Sequence, residues 1–487
     1  MPWPALPDDE VATPMSNATY SLIFRVNIPA KVGMLGRVLA AIGDADGQVG
    51  GVDIVRSRKE AVTRDITVYA RDEAHGTAIS AALEAIEGVS VESMIDRVFM
   101  AHAGGKVGMQ NRMPVATRDD LSMAYTPGVA RVCMAIHHDF EQAWEYTIKG
   151  NSVMVVSDGS SVVGQGDLGP EASLPALEAK CAFLRKLAGI DAFPLPIDLR
   201  DPSEIAEAVV LISSVFAGIH LSDISAPRCF EVQRLIDERL DIPVFHDDQQ
   251  GTAAAVLAAL TNGLKVAGKS LADSRVVVAG LGPGGQAAVR LLIAAGAGSI
   301  VACDSKGAIA ADRGDLDAEL AWIAENTNAD GRTGSAAEVL AGADAFIGMS
   351  APGLLSRNDL GGMAADPVVL ALAMPDPEIL PDEAAGVARV YATGRPDVPN
   401  QINSGLASPG IWRGALDCRA TEINQAMTLA AAAAIAATVE DEGGLSAVNV
   451  VPSIFSQRLV PNVAAAVRAA AQATGVARLA AGAGSAA

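Results

Sequence analysis

Four stretches of the chain put ionisable side chains where a folded protein could use them for proton transfer or metal binding. In "IPVFHDDQQGTAAAVLAAL", Asp247 and Asp248 follow a strand-like run and precede a helix opening at Gly251 and Thr252. That is the strand end at which α/β enzymes expose functional groups. Adjacent carboxylates repel unless a cation or basic group stands between them, so a metal is one reading and an Asp helix cap the other. In "IHLSDISAPRCF", Asp223 leaves another short apolar run with Ser222 beside it, placed to share a cation with Asp248. In the helical stretch around "LEAKCAFLRKLA", Leu177, Cys181, Leu184 and Ala188 make an apolar stripe. At about 100° per residue, Lys180 leans roughly 70° from its centre and can reach inward. It reads either as a snorkelling side chain or as a base whose pKa partial desolvation lowers. Tyr125, ahead of a Thr-Pro-Gly turn, taken alone reads more readily as a packed residue.

A nicotinamide enzyme that oxidises an alcohol needs such a base, and a decarboxylation adds an electron sink, often a metal. The hydride acceptor has its own signature. "RVVVAGLGPGGQAAVRLLIAAGAGSIVACD" carries Gly280, Gly282 and Gly285 as G-x-G-x-x-G between a Val-rich strand and an apolar helix. The next strand ends at Asp304, where an acid can accept both hydroxyls of an adenosine ribose. The pyrophosphate would sit at the helix N-terminus. A carboxylate there repels a 2'-phosphate, which favours NAD over NADP. A glycine turn that merely tightens a helix against a sheet would explain the glycines but not the acid.

These groups need a scaffold. With 487 residues, half of them apolar, the chain has material for two to four domains. Strand-like runs at Val153–Val156 and Pro243–Phe245 alternate with helices such as Ser203–Ala217, predicting an α/β fold with a Rossmann-type domain. Before them, residues 20–99 read as β-α-β-β-α-β, the ferredoxin-like order, with a last strand from about Val89 to Phe99. The Gly-rich stretch 101–115 reads as a linker, residues 1–18 as a flexible arm and 471–487 as a tail. A formal charge of −21 excludes nucleic acid and anionic membrane as main partners. No run reaches membrane-spanning length, and Met427–Val439 reads as a buried helix. Five scattered cysteines predict reduced, buried thiols and a cytoplasmic protein.

Residues 105–470 resemble the bacterial malic enzymes, carried by "AYTPGVA", "GQGDLG", "SDISAPRCF", "FHDDQQGTA", the glycine turn, "PNQINSGLASPGIWRGALD" and "VPSIFSQRLVP". The resemblance implies oxidative decarboxylation of L-malate with NAD(P)+, assisted by Mg2+ or Mn2+, in a homo-oligomer. It implies Lys180 as general base, Tyr125 as the acid that protonates enolpyruvate, and Asp223 and Asp248 as metal ligands, with Asp247 accessory. Gly282 and Gly284 would approach the pyrophosphate. It divides this part into a catalytic domain at 101–250 and an NAD-binding domain at 251–470. Residues 19–100 resemble an ACT regulatory domain through "IPAKVGMLGRV", which implies a small effector such as an amino acid near Gly33. The chain departs from the malic enzyme pattern at Ser222, where a Glu is usual, at Met374 and Ser404, where Asn is usual, and at Ser408; Asn403 is retained. Clustered around one pocket, these departures predict either an altered preference toward another hydroxy acid or, less in keeping with the retained Tyr125, Lys180, Asp223 and Asp248, a nucleotide sensor without catalysis.

Overall fold

The computed structural model describes residues 20–479, so the expected arm and the last residues of the expected tail lie outside the described residues. The described chain divides into two units between Gly108 and Met109.

The first unit follows the expected order: β1 (Ser21–Pro29), α1 (Met34–Asp44), β2 (Gln48–Ser57), β3 (Ala61–Tyr69), α2 (Glu73–Glu84) and β4 (Ser90–Asp96). The strands form one antiparallel sheet in the order β2-β3-β1-β4. Leu22, Phe24, Val26 and Ile28 alternate onto one face of β1 and pack with Val38, Ile42, Ile79 and Leu83 of the two helices. Gly33, just before α1, has φ 84° with open space around its Cα. The last strand stops at Asp96 rather than continuing to Phe99. The Asp96 carboxylate accepts from the N–H groups of Val98 and Phe99 and starts a short helix, Arg97–His102.

The second unit holds two sheets. A parallel four-stranded sheet, ordered β6-β5-β7-β8, comprises β5 (Ser152–Ser157), β6 (Asp191–Pro196), β7 (Gly218–Leu221) and β8 (Val244–His246), with α3 (Pro170–Ala188) crossing between β5 and β6. A turn at Asp247–Gly251 then runs straight into α4 (Thr252–Val266). The expected boundary at 250/251 therefore falls inside a continuous helical segment, because Asp247 and Gly251 are both buried and the chain has no exposed break there. The Rossmann part follows with β9 (Arg275–Ala279), α5 (Pro283–Ala294), β10 (Ser299–Asp304), β11 (Gly307–Ala308), β12 (Ala345–Gly348), β13 (Val368–Ala371) and β14 (Val390–Thr393), ordered β11-β10-β9-β12-β13-β14. Only β11 runs antiparallel in that sheet.

The chain returns through α6 (Ser408–Asp417), α7 (Gln425–Asp441) and α8 (Leu459–Ala473). α7 is the buried helix expected at 427–439. The expected tail begins too early, since α8 continues to Ala473 and Ala477 then bridges back to Ala420. Among the described residues no helix is long and apolar enough to cross a membrane. The cysteines carry no disulfide; four are buried and Cys133 is exposed, against the expectation that all five are buried. Cys133 sits on the helix Gly128–His138, which buries none of its residues.

α6 sits against β7 of the parallel four-stranded sheet through Trp412, whose ring lies where a Cβ on Gly218 would be, 2.2 Å from the nearest ring atom. Gly218→Ala is expected to displace the ring and lower stability by about 1–3 kcal/mol, read from the denaturant midpoint.

Candidate functional site

The strand ends β7 and β8 bring the sequence-predicted acids together. Asp223 lies two residues beyond β7, and Asp247 and Asp248 immediately follow β8. Parallel neighbours end at the same edge of the sheet, so the two segments meet there. Asp223 adopts φ 55°, a left-handed conformation that Asp tolerates better than most residues. Its N–H donates to Asp248 Oδ2 at 2.8 Å. Its own carboxylate accepts from the N–H of Val163 at 3.1 Å and from the Ser222 hydroxyl at 3.2 Å.

Asp247 is the centre of the cluster, a larger role than the accessory one expected of it. Its side chain is 2% exposed and pairs with the Lys180 ammonium. Ser404 donates to Asp247 Oδ2 at 2.7 Å, and the Ser408 hydroxyl donates to Oδ1. The imidazole of His220 stands 4.0 Å from Oδ1. His220 Nδ1 accepts from Trp412 Nε1 at 2.9 Å, which leaves Nε2 to carry the proton facing Asp247. Burial opposes the Asp247 charge, but Lys180, His220 and the donated bonds hold its carboxyl well below the usual range.

This network corrects the expected state of Lys180. Burial does pull its pKa down, but Asp247, Asp248 and Asp223 together outweigh burial and hold it above the ordinary lysine value. With Asp247 as its ion-pair partner, Lys180 is favoured as the ammonium. Ser404 and Ser408 are likewise explained, because their hydroxyls serve Asp247. Asn403 begins the short turn Ser404–Leu406. Met374 follows β13, is 48% exposed and takes no part in the cluster. Tyr125 is 66% exposed at the end of the helix Arg118–Ala124, and no hydrogen bond joins it to Lys180 or the three acids. His220 and Trp412 escaped the sequence reading, since a buried His on a strand and a buried Trp on a helix look like core.

The donor set at Asp223 and Asp248 fits a divalent ion of the Mg2+ type, which is commonly held by one or two carboxylates with water and substrate completing the shell. Burial, with the neighbouring acid, pushes both carboxyls upward even though Lys180 pulls them down, so the pair lacks compensating positive charge. Ser222 contributes a hydroxyl turned to Asp223 instead of a third carboxylate, and among the described residues no three His, Cys, Asp or Glu side chains are grouped so that they could hold a metal ion together.

The glycine turn adjoins this cluster. A Cβ on Gly284 would meet Asp248 O at 3.0 Å and Thr252 Cγ2 at 3.4 Å, so this glycine lets α5 approach the acid turn. Gly280 and Gly285 are required by contacts with Met349 and with each other, whereas Gly282 faces open space, the cradle a pyrophosphate needs. At the end of β10, Asp304 is held by both terminal nitrogens of Arg313, at 2.9 and 2.8 Å, and by the N–H of Lys306 at 2.8 Å.

Comparison with known proteins agrees with this geometry. Residues 105–205 match the malic enzyme N-terminal domain and residues 249–472 the malic enzyme NAD-binding domain. An NAD-dependent malic enzyme of Geobacillus stearothermophilus is 48% identical over 462 residues, covering 95% of this chain and 96% of the relative. The chain belongs to the malic enzyme family. A bifunctional malic/malolactic enzyme of Bacillus subtilis is 47% identical and covers 77% of the chain and 92% of its own length. A crystal structure of malic enzyme from Pyrococcus horikoshii superposes with a TM-score of 0.74 at 41% identity, covering 77% of this chain and 89% of that one. The match to the Geobacillus malic enzyme extends over most of the chain, whereas the other two cover about the length of the second unit.

Two outcomes test this electrostatic picture. Asp223→Asn removes one of two poorly compensated buried carboxylates and is expected to raise stability by about 1 kcal/mol, read from the urea midpoint, while turnover is lost. Burial lowers the pKa of His220 and of His246 to about 4, so the folded state binds fewer protons than the unfolded state between that value and the ordinary 6.5. The contribution of these two histidines to stability is therefore full above pH 6.5 and falls as pH drops toward 4, by at most about 1.4 kcal/mol per pH unit for each. His220→Gln should make that fall shallower.

Proposed function

We propose that the protein oxidises and decarboxylates L-malate to pyruvate and CO2 with NAD+ as hydride acceptor. The observation that carries this reading is the convergence of Lys180, Asp223, Asp247 and Asp248 on one strand edge, joined through Gly284 to the dinucleotide turn. Lys180, an ammonium beside three carboxylates, must first release its proton to solvent, which positive charge at Asp223 and Asp248 would favour; the neutral Nζ then takes the proton of the C2 hydroxyl as the C2 hydride passes to nicotinamide. The C3–C4 bond then breaks, CO2 leaves, and the electron pair it releases forms the enolate of pyruvate. Protonation at C3 completes the reaction. Asp247 keeps Lys180 directed at the hydroxyl, and Ser404, Ser408 and His220 keep Asp247 in place. Asp223 and Asp248 would hold a divalent cation, which when bound would supply positive charge to stabilise negative charge developing on the substrate and to offset the carboxylates beside Lys180.

The proton for C3 comes, on this reading, from Tyr125 of a second copy of the chain. Tyr125 stands exposed between two helices, Arg118–Ala124 and Gly128–His138, that bury none of their residues. Leu121, Met123 and Met134 are exposed on the same segment, an apolar area that a partner would cover. The βαββαβ unit is read as regulatory, with an amino-acid effector near Gly33 supported by that glycine's open surroundings.

NAD+ with Mn2+ and L-malate should give reduced nicotinamide and CO2 in equal amounts; activity confined to another hydroxy acid would move the substrate assignment. Lys180→Arg preserves the charge beside Asp247 and should fold, yet lose turnover by about 100-fold or more, since an arginine cannot act as the base. Mixing Lys180→Arg with Tyr125→Phe protein after reversible dissociation tests the shared site. Random re-association should restore about a quarter of the wild-type rate, because one site of each mixed pair is intact. No recovery would place Tyr125 and Lys180 in the same subunit.

A further inference from the structure

We propose that Asp315 is the residue that makes the adenosine end of the dinucleotide site reject a 2'-phosphate. This rests on the reading of the second unit as an NAD-dependent dehydrogenase. Asp304 alone does not explain a preference for NAD+, because it is not a free carboxylate. Arg313 and the N–H of Lys306 occupy three of its acceptor positions. A carboxylate offers about four, so one remains for a ribose hydroxyl.

Two cations stand beside that acid, and either would suit a phosphate. Arg313 is the less exposed of the two, its side chain 17% exposed against 65% for Lys306, and a guanidinium has five N–H donors. All five are committed. Nη1 donates to Asp304 Oδ1 and, at 3.4 Å, to Gly307 O. Nη2 donates to Asp304 Oδ2 and, at 3.0 Å, to Asp315 Oδ2. Nε donates to Asp315 Oδ1 at 3.0 Å. The Lys306 ammonium pairs with Asp315 as well. Asp315 thus engages both cations at once, and the four side chains carry no net charge. A 2'-phosphate would meet a neutralised cluster with no guanidinium donor to spare and a carboxylate at close range, whereas a hydroxyl finds its acceptor.

Without the Asp315 carboxylate, Arg313 would regain two donors while remaining held by Asp304, Lys306 would be released, and the cluster would become cationic. Phosphate recognition by arginine needs those features. Asp315 acts through Arg313 and Lys306 and is therefore a positioning residue for specificity.

The test is the dissociation constant of NAD+ and of NADP+ for the full-length wild type, Asp315→Ala and Asp315→Asn, measured by calorimetry. In Asp315→Ala the affinity for NADP+ relative to NAD+ should rise by about tenfold or more, with a smaller rise in Asp315→Asn, which keeps an acceptor but not the charge. Adding Lys306→Gln to Asp315→Ala should remove part of the gain. A merely structural role for Asp315 would weaken both dinucleotides together and leave their ratio where it was, and an unchanged ratio overturns the proposal. Malate turnover with NAD+, followed in parallel, reports separately on the functional reading: absent turnover with intact NAD+ binding counts against malate and leaves the specificity result standing.

Discussion

A carboxylate removed from water must be matched by positive charge and donated hydrogen bonds, or it takes up a proton. Asp247, 2% exposed, is where that constraint acts in this protein. Lys180 comes from α3, Ser404 and Ser408 from the segment entering α6, and His220 from β7. The elements that supply them are distant in sequence, and satisfying Asp247 fixes how they are arranged around one another. Leaving it unmatched would cost about 3–5 kcal/mol, a large fraction of a domain's stability. The same requirement that holds these elements together also orients Lys180.

The arrangement separates two kinds of acid. Asp247 is fully served by protein groups and remains ionised. Asp223 and Asp248 are held close by a backbone hydrogen bond and are pushed toward neutrality by burial and by a neighbouring carboxylate, that of Asp248 for Asp223 and that of Asp247 for Asp248. A pair under that strain favours an external cation, while a satisfied carboxylate does not. Ser222 fits this division: its hydroxyl eases the charge on Asp223 without adding a third negative group. Gly284 then brings the dinucleotide turn against the backbone of Asp248, so nucleotide and acid sites share a wall.

Much of this was legible in the sequence because it rests on local pattern. Alternation in β1, the G-x-G-x-x-G turn and the helical stripe beneath Lys180 each express a period or a turn that a short segment determines by itself. Asp223 and Asp248 were legible as strand-end acids. What could not be read was partnership at long range. Lys180 looked like a base with a lowered pKa because desolvation follows from its own helix, whereas the three carboxylates that reverse the shift come from two other segments. Ser404 and Ser408 looked like a changed substrate pocket because their bonds to Asp247 span more than 150 residues. Asp304 looked like a free ribose acceptor until Arg313, nine residues on, took both its oxygens. Asp96 ended a strand early through a capping bond that β-propensity does not register.

The central claim is that Asp247, with its two neighbouring acids, keeps Lys180 protonated in the ligand-free protein. The direct measurement is an NMR titration of the Lys180 ammonium in metal-free protein and in Asp247→Asn. The account predicts no deprotonation of wild-type Lys180 up to its ordinary value of 10.5, and a clear downward shift when Asp247 loses its charge. A wild-type Lys180 that titrates well below 10.5, or one indifferent to Asp247→Asn, would contradict it.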